Sequence, residues 1–422
     1  MENTVLSIDI GTTSLKAALT AEDAERGLVV CASSRVDFRA EDKSKAAIEW
    51  MAALKIAILE MREKTKAPTD FQDPFSRLSG VCISGNGPTI VSKDGTTLLW
   101  NEKIDENVSV DTKSLFIPRL LQFRRQFAYS WNHSDTIFSG PEYLIFRLTN
   151  RAVTILPEFR YISAYWDTHA LYHAGFSALE QSKFPAFRSP GDCAGAVSAD
   201  AAIALDGMLP AGLPVFCGAP DFVSALIGTA TIFAGRILDR AGSSEGINLC
   251  TKNPLFAPEI RTLPSVISGL WNAGVLIDES GVLLSRHKEK IEKKIGKVLS
   301  WSDFFDGIFS DKDEEGKSIL VKQAKESAAA VKKLFFAAKS SGLPVDTKIL
   351  VAGGQALNEQ WMQLKCDEIG LPLFVPALPD AELTGDAVLA RFGLGEYESI
   401  TDAAEALVRP AKQYFPRKQE HL

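Results

Sequence analysis

At 422 residues, 46% of them hydrophobic, the chain is long enough for two or three domains with sizeable cores, and a disordered protein is excluded. Its 46 Lys and Arg stand against 53 Asp and Glu, and the net charge of -7 leaves no basic excess to recruit nucleic acid. Strand-like and helix-like segments alternate along it, so an α/β architecture is expected.

The first element is an apolar strand from Val5 that reaches Asp9, turns through Gly11-Thr12-Thr13 and continues as a second strand to Leu19. Gly11 gives a turn with little bulk, the hydroxyls of Thr12 and Thr13 can donate to phosphate oxygens, and Asp9 is placed to hold hydrated Mg²⁺. The plainer reading is an edge hairpin with an incidental acid. Trp50, Leu54, Ile58 and Met61 then share one helix face. Gly80 to Gly85 reads as a short buried strand entering the loop Asn86-Gly87-Pro88-Thr89, and Phe116 to Leu148 is mainly helical in pattern.

Pro214 to Gly218 is strand-like again and leads through Ala219-Pro220 to Asp221, the first residue of an apolar helix. By itself Asp221 reads as a helix cap worth about 1 kcal/mol. Beyond it, Ile237 to Cys250 repeats the opening pattern, with Gly242, Ser243 and Ser244 at the turn. Two such turns suit one phosphate chain gripped from both sides and hint at an old duplication. A domain boundary is placed near residue 236, giving units 1–236 and 237–422. The mixed-sign run Lys288 to Lys294 reads as a solvated helix face. Gly316-Lys317-Ser318 ends like a Walker loop, but Asp311 replaces the first glycine and the match fails. Ala324, Ala328, Val331 and Phe335 form a helix face stopped by Gly342. Finally, Lys348 to Ala352 is a buried-looking strand that breaks at Gly353-Gly354, where a flat ring or a phosphate can lie against the main chain.

Phosphoryl transfer to a hydroxyl needs an in-line acceptor, a home for its proton and an offset for the charge on the moving group. Asp221 as the general base, Asp9 as the metal carboxylate and two hydroxyl-rich turns supply these parts. No Ser/His/Asp hydrolase arrangement competes, since none of the five histidines lies near a strand-turn-helix serine.

With those residues in place, the chain resembles the FGGY carbohydrate kinases of the actin and hexokinase superfamily, nearest in impression to their xylulose-kinase branch with a shortened C-terminal domain. Asp9-Ile10-Gly11-Thr12-Thr13 with Lys16 looks like the first phosphate motif, and Gly218-Ala219-Pro220-Asp221 like the motif carrying the base. Gly242-Ser243-Ser244 is similar to the second phosphate motif. Gly353-Gly354-Gln355-Ala356, with Trp361, Gln363 and Asp367, resembles the adenosine motif, and Asn358 is counted with its nucleotide-binding residues. Pro118-Arg119-Leu120-Leu121, Gly140 to Thr149 and Glu382 to Ala387 extend the match. The resemblance implies an α/β fold of two ribonuclease-H-like domains flanking a central cleft that closes over ATP, Mg²⁺ and a sugar. It also implies that Asn86, Gly87, Trp100, Lys103 and Asp221 meet the substrate, a pentulose or related sugar or polyol. The family's Pro-x-x-x-Gly-Glu-Arg-x-Pro segment is absent, and Trp301 to Gly316 stands in its place.

Two other classes remain open: a nucleotide-binding sensor or pseudokinase of the same fold, and an actin-like or chaperone ATPase. The six cysteines, Cys31, Cys82, Cys193, Cys217, Cys250 and Cys366, have apolar neighbours and no Cys-x-x-Cys pair, so buried thiols in a reducing compartment are expected. No signal peptide is expected before the first strand, and the mainly apolar stretch from Phe222 to Gly235 is too short to span a bilayer. The expectation is a cytoplasmic protein acting on a small molecule, without nucleic acid or membrane as partner, and with a homodimer allowed.

Overall fold

Seven consecutive buried residues, Thr4–Ile10, form β1, and a strand buried on both faces belongs in the middle of a sheet. In the computed structural model, which describes residues 3–38, 40–65, 73–108, 110–242 and 244–417, β1 does lie inside a six-stranded sheet. Its neighbours are β2 (Ser14–Asp23), β3 (Gly27–Asp37), β4 (Leu78–Gly85), β5 (Cys193–Ala196) and β6 (Pro214–Pro220), in the order β5-β6-β4-β1-β2-β3. β1, β2 and β3 run as an antiparallel meander, β4 is parallel to β1, and β6 is parallel to β4. The helix α1 (Ala46–Thr65) buries Trp50, Leu54, Ile58 and Met61, the expected face, in the same core as Leu6, Ile8 and Leu15.

The second sheet has seven strands: β7 (Ile237–Ala241), β8 (Glu245–Thr251), β9 (Arg261–Pro264), β10 (Trp271–Ile277), β11 (Ile349–Ala352), β12 (Leu373–Pro376) and β13 (Pro410–Tyr414), ordered β9-β10-β8-β7-β11-β12-β13. Its central five repeat the first sheet. β7, β8 and β10 are antiparallel neighbours, β11 is parallel to β7, and β12 is parallel to β11. Strands β3-β2-β1-β4-β6 thus correspond to β10-β8-β7-β11-β12, the order expected of ribonuclease-H-like domains, and each first hairpin carries one of the two hydroxyl-rich turns. The duplication inferred from two similar turns is visible in topology.

The chain separates into two compact units, residues 1–224 with 382–407, and residues 225–381 with 408–422. This division differs from a single cut near residue 236, because helix α4 (Ala381–Gly393) packs with the first unit. Gly393 meets the carbonyl of Gly191, and Asp386 takes hydrogen bonds from Ser84 and Ser224. A pattern read along the chain does not register such a return. Two cysteines also depart from expectation. Cys193 is exposed because it starts the edge strand β5, and Cys31 is only half-buried, whereas the other four are buried; all six are free thiols. Among the described residues no helix is long and apolar enough to cross a membrane.

Strand β6 ends on an irregularity that matters for the site. Cys217 pairs with Ile83 and Pro220 with Gly85, so β6 spends one more residue than β4 over the same interval. Such a bulge bends the strand and re-aims the residues beyond it. A Cβ on Gly218 would lie 2.4 Å from the carbonyl oxygen of Ile83, so the bulge requires glycine there. Gly218→Ala is expected to cost about 1–3 kcal/mol by overpacking, seen as a lower thermal midpoint. An unchanged midpoint would contradict the close approach.

Candidate active site

Register fixes where the first acid stands. Asp9 lies opposite Lys16 on β2 and opposite Ser84 on β4, one residue before β1 ends. Directly paired residues share a face, so Asp9, Lys16 and Ser84 form one row across three strands. Asp9 is only 5% exposed. Two strands along, β6 ends at Pro220, level with Gly85, and Asp221 opens helix α2 (Asp221–Gly228), where Phe222 N–H donates to its Oδ1 at 2.7 Å. Asp9 and Asp221 thus occupy the same carboxyl-terminal edge of one sheet, the edge where open α/β sheets bind ligands.

A third carboxyl, not singled out from sequence, lies behind them. Asp386 on α4 is fully buried and accepts from Ser84 Oγ at 2.6 Å and Ser224 Oγ at 3.0 Å. Burial pushes its carboxyl well above the ordinary range, the Ser84 hydrogen bond opposes that, and the Asp9 charge adds to the rise. Ser84 is the cross-strand neighbour of Asp9 and Ser224 sits one turn beyond Asp221, so Asp386 ties β4, the strand beside Asp9, to the helix that Asp221 opens. Its sequence signals were its place in the Glu382 to Ala387 segment of the family resemblance and an acid set among mainly apolar neighbours.

The first turn closes through Gly11 N–H to Ser14 O at 2.8 Å. Thr12 is committed within the protein. With its amide oxygen turned toward the turn, Asn86 accepts from Thr12 N–H at 2.8 Å and Thr12 Oγ at 2.7 Å, and Trp100 Nε1 donates to Thr12 Oγ at 2.8 Å. Of the two threonines, Thr13 presents the exposed hydroxyl. Trp100 is 40% exposed, and its segment is held by Thr89 Oγ1 accepting from its N–H and by Arg119 donating to Leu99 O at 2.9 Å. Asn86 and Trp100 therefore come together on the first phosphate turn, with the exposed Gly87 next to Asn86 in the chain. Lys103 stands apart from them, exposed and 3.6 Å from Glu106.

In the second unit the turn between β7 and β8 is three residues long, Ala241 pairing with Glu245 and Gly242 N–H donating to Ser244 O at 3.0 Å. Ser244 is exposed, and Ser243 lies outside the described residues. Gly353 comes directly after β11 at φ 97°, and a Cβ there would sit 2.3 Å from Ala241 O. The first unit repeats the device: a Cβ on Gly85, at the end of its fourth strand, would sit 2.8 Å from Ile10 O. In each unit a glycine thus brings backbone against the last carbonyl before the turn. Gly354 is exposed with open space above its Cα. Gln355 and Asn358 turn inward instead. Gln355 Nε2 donates to Gly242 O at 2.9 Å, and Asn358 caps helix α3 (Glu359–Ile369) by accepting from Trp361 N–H at 2.8 Å.

No family model matches the chain. Among curated proteins it is 26% identical over 299 residues to the autoinducer-2 kinase of Yersinia pestis (strain Pestoides F), a match covering 60% of this chain and 55% of that protein. The chain spans about half the length of the curated relatives it matches. Among solved structures, gluconate kinase from Lactobacillus acidophilus superposes with TM-score 0.73 at 14% identity, covering 99% of this chain and 94% of that one. Xylulose kinase from Rhodospirillum rubrum gives 0.68 at 17% identity over 98% and 94%. Plasmodium falciparum glycerol kinase with ADP gives 0.69 at 15% identity over 99% and 94%. The chain has the fold of the FGGY carbohydrate kinases.

Within this FGGY fold another buried carboxyl supports the loop that carries Asn86. Glu142 Oε1 accepts from Ser139 Oγ at 2.8 Å and Ile155 N–H at 2.9 Å, and it stands two residues after Gly140, whose Cβ would lie 3.3 Å from Asn86 O. Burial raises the pKa of Glu142, and the two hydrogen bonds only partly offset this. A carboxyl with a raised folded pKa imposes no pH-linked cost below the unfolded value, and a growing one as pH climbs toward the folded value. Glu142→Gln is therefore expected to gain stability relative to the unaltered protein as pH rises above the ordinary glutamate value of about 4.3, measured as melting midpoint against pH. A constant difference above that value would contradict a raised Glu142 pKa.

Proposed function

We propose that the chain is an ATP-dependent carbohydrate kinase that phosphorylates a hydroxyl of a pentulose or related sugar or polyol, with Asp221 as general base. The observation that carries this reading is the register of β1, β4 and β6, which brings Asp9, Gly85 and the Pro220–Asp221 step to one sheet edge. The kinase neighbours of the same fold and the autoinducer-2 kinase relative support it.

In this mechanism the acceptor hydroxyl hydrogen-bonds to the Asp221 carboxylate and gives up its proton there as its oxygen bonds to the γ-phosphorus. The bond from that phosphorus to the bridging oxygen breaks, and ADP departs. Asn86, Gly87 and Trp100 would fix the acceptor's orientation, so that a sugar with the wrong hydroxyl pattern leaves polar groups unpaired; Lys103 would act from the rim. Thr13 and Lys16 on the first turn, and Gly242, Ser243 and Ser244 on the second, would hold the phosphates. The backbone at Gly353 and Gly354 would receive the adenosine, with Gln355 and Asn358 shaping it from behind.

The donor set also fits Mg²⁺. A triphosphate-bound Mg²⁺ takes one or two carboxylates and keeps waters, and Asp9 offers an oxygen ligand on the row with Lys16. Among the described residues no group of three or more His, Cys, Asp or Glu is arranged as an all-protein cage. Mg²⁺, when bound, offsets charge on the transferring phosphoryl group. A cytoplasmic setting and an optional homodimer complete the proposal.

Release of ADP from MgATP across a panel of ketoses, polyols and aldonates tests the reading. Turnover is expected with at least one acceptor, and Asp221→Ala is expected to lower it by about two to four orders of magnitude while MgATP still binds. Equal turnover in the variant would remove Asp221 as base. Saturable nucleotide binding with no acceptor-dependent ADP release would favour a sensor, and acceptor-independent hydrolysis an ATPase.

A further inference from the structure

Beneath the second turn lie three ionisable side chains that the proposed chemistry leaves unused. Lys365 of α3 is fully buried and pairs with Asp239 of β7 and with Glu245 of β8, the latter at 2.8 Å, and both acids are fully buried as well. Burying such a group costs several kcal/mol per ion, and well-packed apolar residues often serve stability as well or better. Stability alone is therefore a weak reason for the triad, and its position offers a stronger one.

Asp239 stands three residues before Gly242 and Glu245 three residues after it, so Lys365 fastens both strands that leave the turn. The network continues to the turn itself. Glu245 Oε2 accepts from Ser280 Oγ at 2.9 Å, Gln355 Nε2 donates to Ser280 Oγ at 3.2 Å and to Gly242 O at 2.9 Å, and Trp361 Nε1 donates to Gln355 Oε1 at 3.1 Å. Ser327 Oγ donates to Glu245 Oε1, and Gln323 Nε2 to Ser280 O. A continuous path of hydrogen bonds thus runs from the Lys365 ammonium to the carbonyl of the turn glycine. Each side chain along it is buried, where hydrogen bonds are strong and broken ones costly.

We infer that the Asp239–Lys365–Glu245 triad, acting through Ser280 and Gln355, holds the Gly242 turn in the shape that grips a nucleotide phosphate, which makes Lys365 and Ser280 positioning residues for nucleotide binding. The inference rests on the proposed phosphate role of Gly242–Ser244. Electrostatics agree with the placement. Two carboxylates and one ammonium would leave a net negative charge under a phosphate site. Burial and then the Glu245 charge push Asp239 up to about 7, which lessens the negative charge beneath the turn near neutrality, while Lys365 holds Glu245 low against its burial.

Lys365→Met leaves two carboxylates without their cation and can fail to fold, so the test uses Ser280→Ala, which keeps the ion triad and removes the link. MgADP affinity is measured by calorimetry on the full chain, with the melting midpoint of the unliganded protein in parallel. Ser280→Ala is expected to weaken MgADP binding about 3- to 10-fold, with a lowered midpoint that still leaves the protein folded, since Lys365 still pairs with Glu245 and Gln355 still reaches Gly242 O. Joined with Gln355→Met, it should bind no more weakly than Gln355→Met alone, because both break one path. Unaltered affinity in a folded Ser280→Ala protein, or losses that multiply in the double variant, would overturn the inference. Absence of MgADP binding by the unaltered protein would instead overturn the nucleotide reading, and the inference with it.

Discussion

Parallel pairing of β4 with β1 on one side and β6 on the other is the constraint on which the candidate site depends. Side chains at the ends of parallel strands can be level only if the register is held over the whole strand, and here the buried faces of Leu6, Ile8, Val81, Ile83 and Val215 hold it. A one-residue slip would turn Asp9 away from Lys16 and Ser84. The bulge at Gly218 then sets the last step. It lets β6 finish level with Gly85 while delivering Asp221 to the start of a helix, where it already accepts the N–H of Phe222. Asp386 reinforces the arrangement through Ser84 and Ser224.

The second sheet uses the same scaffold for a different end. Its first hairpin also turns through small and hydroxyl residues, and a glycine directly after β11 also lies against the last carbonyl of β7. Where the first turn has an acid two residues before its glycine, the second has Arg240, and its acids are Asp239 and Glu245, buried on Lys365. One copy of the fold thus offers carboxylates at the sheet edge, and the other hides them under the turn.

Much of this was legible in the sequence because it was local. The hairpin around Gly11, the helix face of Trp50 to Met61, the strand ending near Gly85 and the Gly-Ala-Pro-Asp step each rest on residues within a few positions of one another, and all stand where the pattern put them. What escaped depends on contacts between distant segments. Asp386 meets Ser84 across 302 residues, and helix α4 rejoins the first unit for the same reason. Thr12 offered a phosphate donor on paper, yet Asn86 and Trp100 engage its hydroxyl, and Asn358 spends its side chain on a helix cap. Cys193 looked apolar in context because an edge strand and an inner strand share a local sequence pattern.

A crystal of the protein with a turned-over acceptor sugar, Mg²⁺ and a non-hydrolysable ATP analogue would test the central claim most directly. The account expects the reacting hydroxyl within about 2.6–3.2 Å of the Asp221 carboxylate, the metal's ligand shell reaching Asp9, and the triphosphate on the two glycine turns. An acceptor hydroxyl bound away from the edge shared by β1, β4 and β6, with its proton facing some other base, would contradict it.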